Sequence, residues 1–168
     1  AVVGINPTRR GAELERDIRH SECQLLISEE RYAPLLAGLE LPIDPERRFL
    51  CDSPGWELPL ARFRGGQAAA ASIDPGAPYL LLFTSGTTGD PKLAICSQAR
   101  LAAIGASVVQ IRDLGPDTVS YLAMPFFHSN ALMVGWAPML CCGGAGALRR
   151  RFSASGFLPD VRRYGVSF

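Results

Sequence analysis

Short apolar blocks and longer amphipathic stretches alternate along this chain, and their spacing predicts its elements. Residues 1–5, 24–28, 47–51, 79–83, 93–96 and 119–123 are compact apolar runs of strand length bounded by polar or turn-forming residues. Between them, residues 10–21 place Leu14 and Ile18 four apart on one face among charged neighbours, which reads as a helix. Residues 30–39 read as another helix. In residues 98–112, Leu101, Ile104, Val108 and Ile111 recur at helical spacing and predict one apolar stripe packed on a core. The first strand, helix and second strand together predict a βαβ unit, and the whole alternation predicts an α/β fold, a predominantly parallel sheet flanked by helices.

The remaining stretches carry weaker patterns. Residues 52–78 are rich in Pro, Gly and Ala and read as a surface connection, with no domain boundary placed there. Residues 131–148 are uncharged, but Pro138 and Gly135, Gly143, Gly144 and Gly146 interrupt them, so they read as a buried helix running into a glycine turn rather than a membrane span. Residues 148–168 predict a strand, a helix over 153–164 capped by Ser153 or Ser155, and the start of a further strand. No internal repeat or extended low-complexity tract is present.

The chemistry concentrates where one apolar run stops. Tyr79, Leu80, Leu81, Leu82 and Phe83 read as a strand buried on both faces of a parallel sheet. Directly after it come Thr84, Ser85, Gly86, Thr87, Thr88 and Gly89, then Asp90, Pro91 and Lys92. Four hydroxyls with no ladder to satisfy them do not belong in a core, so this is a loop at the carboxyl end of a strand, where open α/β sheets bind ligands. Gly86 and Gly89 let backbone N–H groups approach an anion, the hydroxyls add neutral donors, and Lys92 adds a compact positive charge. The set suits a triphosphate. A Walker loop fails on spacing, because Asp90 and Pro91 separate Gly89 from Lys92 and a strand, not a helix, follows. A Gly/Ser/Thr hairpin turn with no ligand is the bland alternative.

Residues 84–92, TSGTTGDPK, resemble the phosphate-binding signature of the adenylate-forming superfamily, which contains acyl-CoA synthetases, luciferases and peptide-synthetase adenylation domains. Leu93 stands where that family usually has a small residue. The opening INPTRRGAELERDIRHSECQLLIS resembles the segment upstream of the family's phosphate loop, and MPFFHSNAL, residues 124–132, resembles its aromatic-histidine motif. RFSAS followed by Phe157 resembles the branch of very-long-chain acyl-CoA synthetases and fatty acid transport proteins. On residue chemistry alone, His128 beside Phe126 and Phe127 is as readily structural as functional. The resemblance implies that His128 shapes or gates an acyl pocket walled by Phe126 and Phe127, with no role as nucleophile or general base.

The resemblance further implies ATP held by Thr84, Ser85, Gly86, Thr87, Thr88, Gly89 and Lys92, Mg²⁺ on the phosphates, and coenzyme A as co-substrate. The reaction implied joins a fatty acid to coenzyme A through an acyl-adenylate, that is, a fatty-acid–CoA ligase. The adenine, Mg²⁺ and coenzyme A contacts and the mobile C-terminal domain with its catalytic lysine lie outside these residues, so no catalytic residue is assigned here. The chain opens AVVGINPT without an initiator Met and is expected to be a piece of the large N-terminal AMP-binding domain, inactive by itself. The rival readings are a non-catalytic nucleotide-binding module and a kinase or ATPase, which would release ADP rather than AMP.

Charge and cysteine usage trim the partners. At 168 residues, 48% hydrophobic and 20% charged, the composition is that of an ordinary globular chain. A net charge of +1 gives no reason to invoke nucleic acid. Five cysteines without C-x-x-C spacing, and two distant histidines, suggest neither a disulfide framework nor a zinc site. Free thiols imply a reducing, cytoplasmic setting, with room for peripheral membrane contact while a lipid substrate is collected. Oligomeric state is not legible in the sequence.

Overall fold

The computed structural model describes residues 1–67, 72–84 and 92–168. They form two compact units, one of Ile5–Ser72 and one of Ala1–Gly4 with Ile73–Phe168. The junction falls inside the Pro/Gly/Ala-rich stretch, where the sequence reading placed no boundary. That stretch also holds more structure than a surface connection, namely a single 3₁₀ turn, Pro54–Trp56, and the helix α3, Glu57–Ala61.

In the Ile5–Ser72 unit, α1 (Gly11–His20) supplies Leu14 and Ile18 to a core completed by Leu41 and Ile43, as their four-residue spacing predicts. Asp17 is buried on the same helix. Its Oδ2 lies 3.4 Å from Arg9 Nε, while its Oδ1 has no hydrogen-bond partner. Burial pushes this carboxyl above the usual aspartate range against the opposing pull of Arg9. Strands β2 (Leu26–Ser28) and β3 (Arg48–Leu50) pair in parallel. The helix expected over 30–39 is a 3₁₀ turn, Glu30–Tyr32, followed by one α-turn, α2 (Ala33–Leu36), and Gly38 in the left-handed region lies just beyond its end.

The second unit is organised on β4, Pro78–Thr84. It pairs in parallel with β1 (Val2–Gly4) and antiparallel with β5 (Lys92–Ser97). Two expectations change here. First, β1 pairs with β4, and β2 belongs to a separate two-stranded sheet, so β1, α1 and β2 do not close a βαβ unit by pairing with each other. Among the described residues β1 alone takes a partner far along the chain, while the other pairings join consecutive strands. Second, β4 is not buried equally on both faces. Leu80 and Leu82 are buried and form a core with Cys96, Leu101 and Ala137, whereas Leu81 and Phe83 are half-buried. Burying each of those two leucines is worth about 1.5–3 kcal/mol.

After β5, Ser97 Oγ accepts from Arg100 N–H and starts α4, Gln98–Arg112. Strand β6 (Val119–Leu122) leads through a turn into a π-helical segment, Asn130–Trp136, and α5, Ala137–Cys142. Gly143 in the left-handed conformation ends α5, and β7 (Ala145–Leu148) then pairs in parallel with β6. This is the helix and glycine turn read from residues 131–148, buried only on the side of Ala131, Ala137, Pro138 and Met139, with Val134 and Leu140 exposed. It also makes β6, α5 and β7 a βαβ unit. Helix α6 (Ala154–Tyr164), capped by Ser153 Oγ on Gly156 N–H, follows, and Ser167 and Phe168 return to hydrogen-bond β6 without forming the strand expected there. Among the described residues, three of the four strand pairings are parallel. The antiparallel one belongs to the hairpin that carries the hydroxyl-rich loop. No helix among the described residues is long and apolar enough to cross a membrane.

Helix α4 buries a different line of residues from the one its pattern predicts. Leu101 and Gly105 are buried, Ile104 and Val108 are half-buried, and Ile111 is 77% exposed. The cause is the crossing with α5. A methyl group on Gly105 would lie 2.8 Å from Cys141 Sγ and 2.9 Å from the Ala137 carbonyl, so the helices meet at the residue without a side chain. Gly105→Val is therefore expected to lower stability by about 1–3 kcal/mol through overpacking, whereas Ile111→Ser should stay within about 0.5 kcal/mol. Urea midpoints of the two variants test this, and the reverse ranking would contradict the crossing.

Candidate nucleotide and acid site

The antiparallel pairing of β4 and β5 brings the two ends of the loop motif together. Thr84 sits opposite Lys92, and Thr84 Oγ1 donates to the Lys92 carbonyl at 3.2 Å. Side chains alternate along a strand, so Thr84 and Lys92 share a face with Leu80, Leu82 and Cys96. Ser85, Gly86, Thr87, Thr88 and Gly89 lie outside the described residues. The neck of the loop is nevertheless set: it leaves the carboxyl end of β4 and re-enters a strand at Lys92. A strand there, in place of a helix, agrees with rejecting the Walker reading.

The second motif reaches the same end of the same face. After β6, Pro125 and His128 close a turn, with His128 N–H donating to the Pro125 carbonyl at 2.9 Å. His128 Nδ1 accepts weakly from Asn130 N–H at 3.4 Å. Phe126 and His128 are exposed and Phe127 is half-buried. Phe127 rests on β1, because a methyl group built on Gly4 would lie 2.6 Å from Phe127 Cα and 2.9 Å from its Cβ. Gly4 pairs with Leu82. Two residues further along β4 is Thr84, about 7 Å at the rise of a strand. The structure thus brings Thr84, Lys92 and the Phe126–Phe127–His128 turn to the carboxyl end of β1 and β4, where α/β sheets take ligands. A threonine–lysine pair and an aromatic turn stand side by side there.

Sequence reasoning missed Gly4. The available signal was a glycine closing an apolar strand, which marks a close backbone approach. It also missed the polar link behind the turn. Tyr121 on β6 donates its hydroxyl to Asp160 Oδ2 at 2.9 Å, and Arg149, directly after β7, meets the same oxygen through Nε at 2.9 Å. Asp160 is buried on α6, and Phe157 stacks edge-on against Tyr121 at 5.4 Å. One carboxylate therefore ties α6 to both strands. No group of three His, Cys, Asp or Glu side chains among the described residues could hold a metal ion.

A model of the AMP-binding enzyme family matches residues 1–168. The chain belongs to that family. Steroid-22-oyl-CoA synthetase of Rhodococcus jostii is 49% identical over 170 residues, covering 100% of this chain and 30% of that protein. The medium/long-chain-fatty-acid–CoA ligase FadD17 of Mycobacterium marinum is 43% identical over 166 residues, covering 99% of this chain and 32% of that protein. Long-chain fatty acid transport proteins, the branch suggested by RFSAS, also match, at lower identity. ATP-bound MatB of Rhodopseudomonas palustris superposes with a TM-score of 0.72 over 96% of this chain and 32% of its own, at 22% identity, so the α/β fold is shared. The chain spans about a third of the length of these relatives.

The link behind the turn has a measurable signature. Burial, with help from the Asp160 hydrogen bond, pushes the Tyr121 hydroxyl above its ordinary value of 10.0. A raised folded-state value means this contribution to stability is complete below pH 10 and is lost as pH rises through the folded value. In an alkaline absorbance titration Tyr121 is expected to ionise late, and Asp160→Asn should lower its midpoint. An unchanged titration curve would refute the link.

Proposed function

We propose that the protein to which this chain belongs is an AMP-forming acid–CoA ligase acting on carboxylic acids with a long apolar body, and that the chain is part of its N-terminal AMP-binding domain. The observation that carries the reading is the meeting of the Thr84–Lys92 neck and the Phe127 turn at one end of one sheet face. Relatives at 43% and 49% identity, named for fatty-acid and steroid-22-oyl substrates, support an acid of that apolar kind.

In the reaction, a carboxylate oxygen of the acid attacks the α-phosphorus of ATP, the α–β bridging bond breaks and pyrophosphate leaves. The thiol of coenzyme A then attacks the acyl carbon, AMP departs, and the thiol proton passes to solvent. Nucleotidyl transfer depends on alignment and charge neutralisation, so donors that follow the departing phosphates are what this step requires. Thr84, Ser85, Thr87 and Thr88 supply hydroxyls, Gly86 and Gly89 supply backbone amides, and Lys92 supplies charge. Mg²⁺ on the phosphates would share the neutralisation. Phe126 and Phe127 wall the acid's apolar body, and His128 gates it.

The test uses the full-length protein with ATP, coenzyme A and acids of graded length. AMP and pyrophosphate are expected in equal amounts, and Lys92→Ala should lower kcat/KM for ATP by about 10- to 100-fold, the loss expected for one charge-assisted phosphate contact. The 168-residue piece, carrying about a third of its relatives' length, should show no turnover. Release of ADP would make the protein a kinase or ATPase. Nucleotide binding without acid-dependent AMP from the full-length protein would make it a non-catalytic module.

A further inference from the structure

We propose that Gly4 is the positioning residue for the acid wall: the missing side chain at the end of β1 sets how far the Phe126–Phe127 turn sinks onto the sheet, and thereby which acids the site admits. The inference rests on the acid-site reading above but reaches a residue that neither motif contains.

Gly4 is the last residue of β1 and is locked by pairing with Leu82, whose strand is fixed on both edges by β1 and β5. Leu82 itself is 4% exposed and belongs to the core, so the floor beneath the turn does not yield. On that floor the Phe127 backbone occupies the volume a side chain would need. The nearest atoms to a built methyl group are Phe127 Cα at 2.6 Å, Phe127 Cβ at 2.9 Å and the Phe126 carbonyl at 3.5 Å. Two of these are backbone atoms, and none is the far end of a flexible side chain. A rotamer change cannot relieve the overlap; the turn must move as a body.

The seat is also specific to the backbone of the turn. The three nearest contacts are made by the Phe127 Cα and Cβ and the Phe126 carbonyl, so these atoms serve as foot and the aromatic rings as wall. Phe126, 41% exposed, rides on the same segment. The turn itself is stiffened by the His128 N–H to Pro125 carbonyl bond and continues within two residues into the π-helical segment, which is anchored by Gly135 lying over Leu122. With both flanks held, lifting the foot at Gly4 shifts the wall. The Thr84–Lys92 neck has its own hydrogen bond and ladder on the far side of β4, so the phosphate end stays where it is. Substituting Gly4 therefore separates the two halves of the site.

The experiment compares full-length wild type with Gly4→Ala. The KM for the acid is expected to change at least about fivefold, or the order of preference among acids of different length and width to change, with the KM for ATP within about twofold. Hydrogen exchange at the His128 amide should be about tenfold faster. A folded Gly4→Ala protein with unchanged acid kinetics and unchanged His128 exchange overturns the inference. Should Gly4→Ala not fold, Phe127→Ala decides: it keeps Cα and Cβ on the glycine, so His128 protection is expected within about twofold of wild type, and its loss would show the ring, not the seat, holding the turn. If wild type forms no acyl-adenylate with any acid, the functional reading has failed, and the exchange measurements still judge Gly4 on their own.

Discussion

The second unit depends on β4 being hydrogen-bonded along both edges while one of its faces is packed shut. Leu80 and Leu82 point into a core closed by Cys96, Leu101 and Ala137, and the ladders to β1 and β5 leave the strand no freedom to slide. A one-residue slip would carry the leucines to the half-open face, which the loss of several kcal/mol of burial forbids. Everything functional is measured from this strand. Thr84 is its last residue, Lys92 is the partner of Thr84, and Gly4 is fixed opposite Leu82.

Rigidity below permits a hydroxyl- and glycine-rich loop above. The antiparallel neck at Thr84 and Lys92 is what holds the two ends of one loop at the rim. The Phe126–Phe127–His128 turn is held by a different means, through β6 before it, whose Tyr121 shares the carboxylate of Asp160 with Arg149. Burying a carboxylate is favourable only when its oxygens are matched by donors. Asp160 meets two on one oxygen, whereas Asp17 in the other unit leaves an oxygen unmatched and is correspondingly drawn toward its protonated form. The contrast separates a carboxylate that ties elements together from one that is merely enclosed.

The elements of the chain were largely legible from period alone. Strands at β1, β4, β5 and β6, the helix over Gln98–Arg112 and the glycine turn after α5 all follow from local pattern, because each is set by neighbours a few residues away. The loop motif was legible for the same reason, since hydroxyls, glycines and a lysine can be judged for chemistry without knowing what surrounds them. Three of the differences share a cause. The βαβ unit placed at the start, the equal burial of β4 and the apolar stripe ending at Ile111 were all statements about partners, and partners come from distant parts of the chain.

By itself, then, the sequence determined the kinds of element, their order and the chemical character of the loop, because backbone propensity, hydrophobic period and side-chain chemistry are local properties. Tertiary structure alone decided that β1 lies against β4, that α4 and α5 cross at Gly105, that Tyr121 and Arg149 share Asp160, and that Phe127 stands on Gly4. Each of these is a fit between surfaces far apart in the chain, and close packing rather than composition selects it.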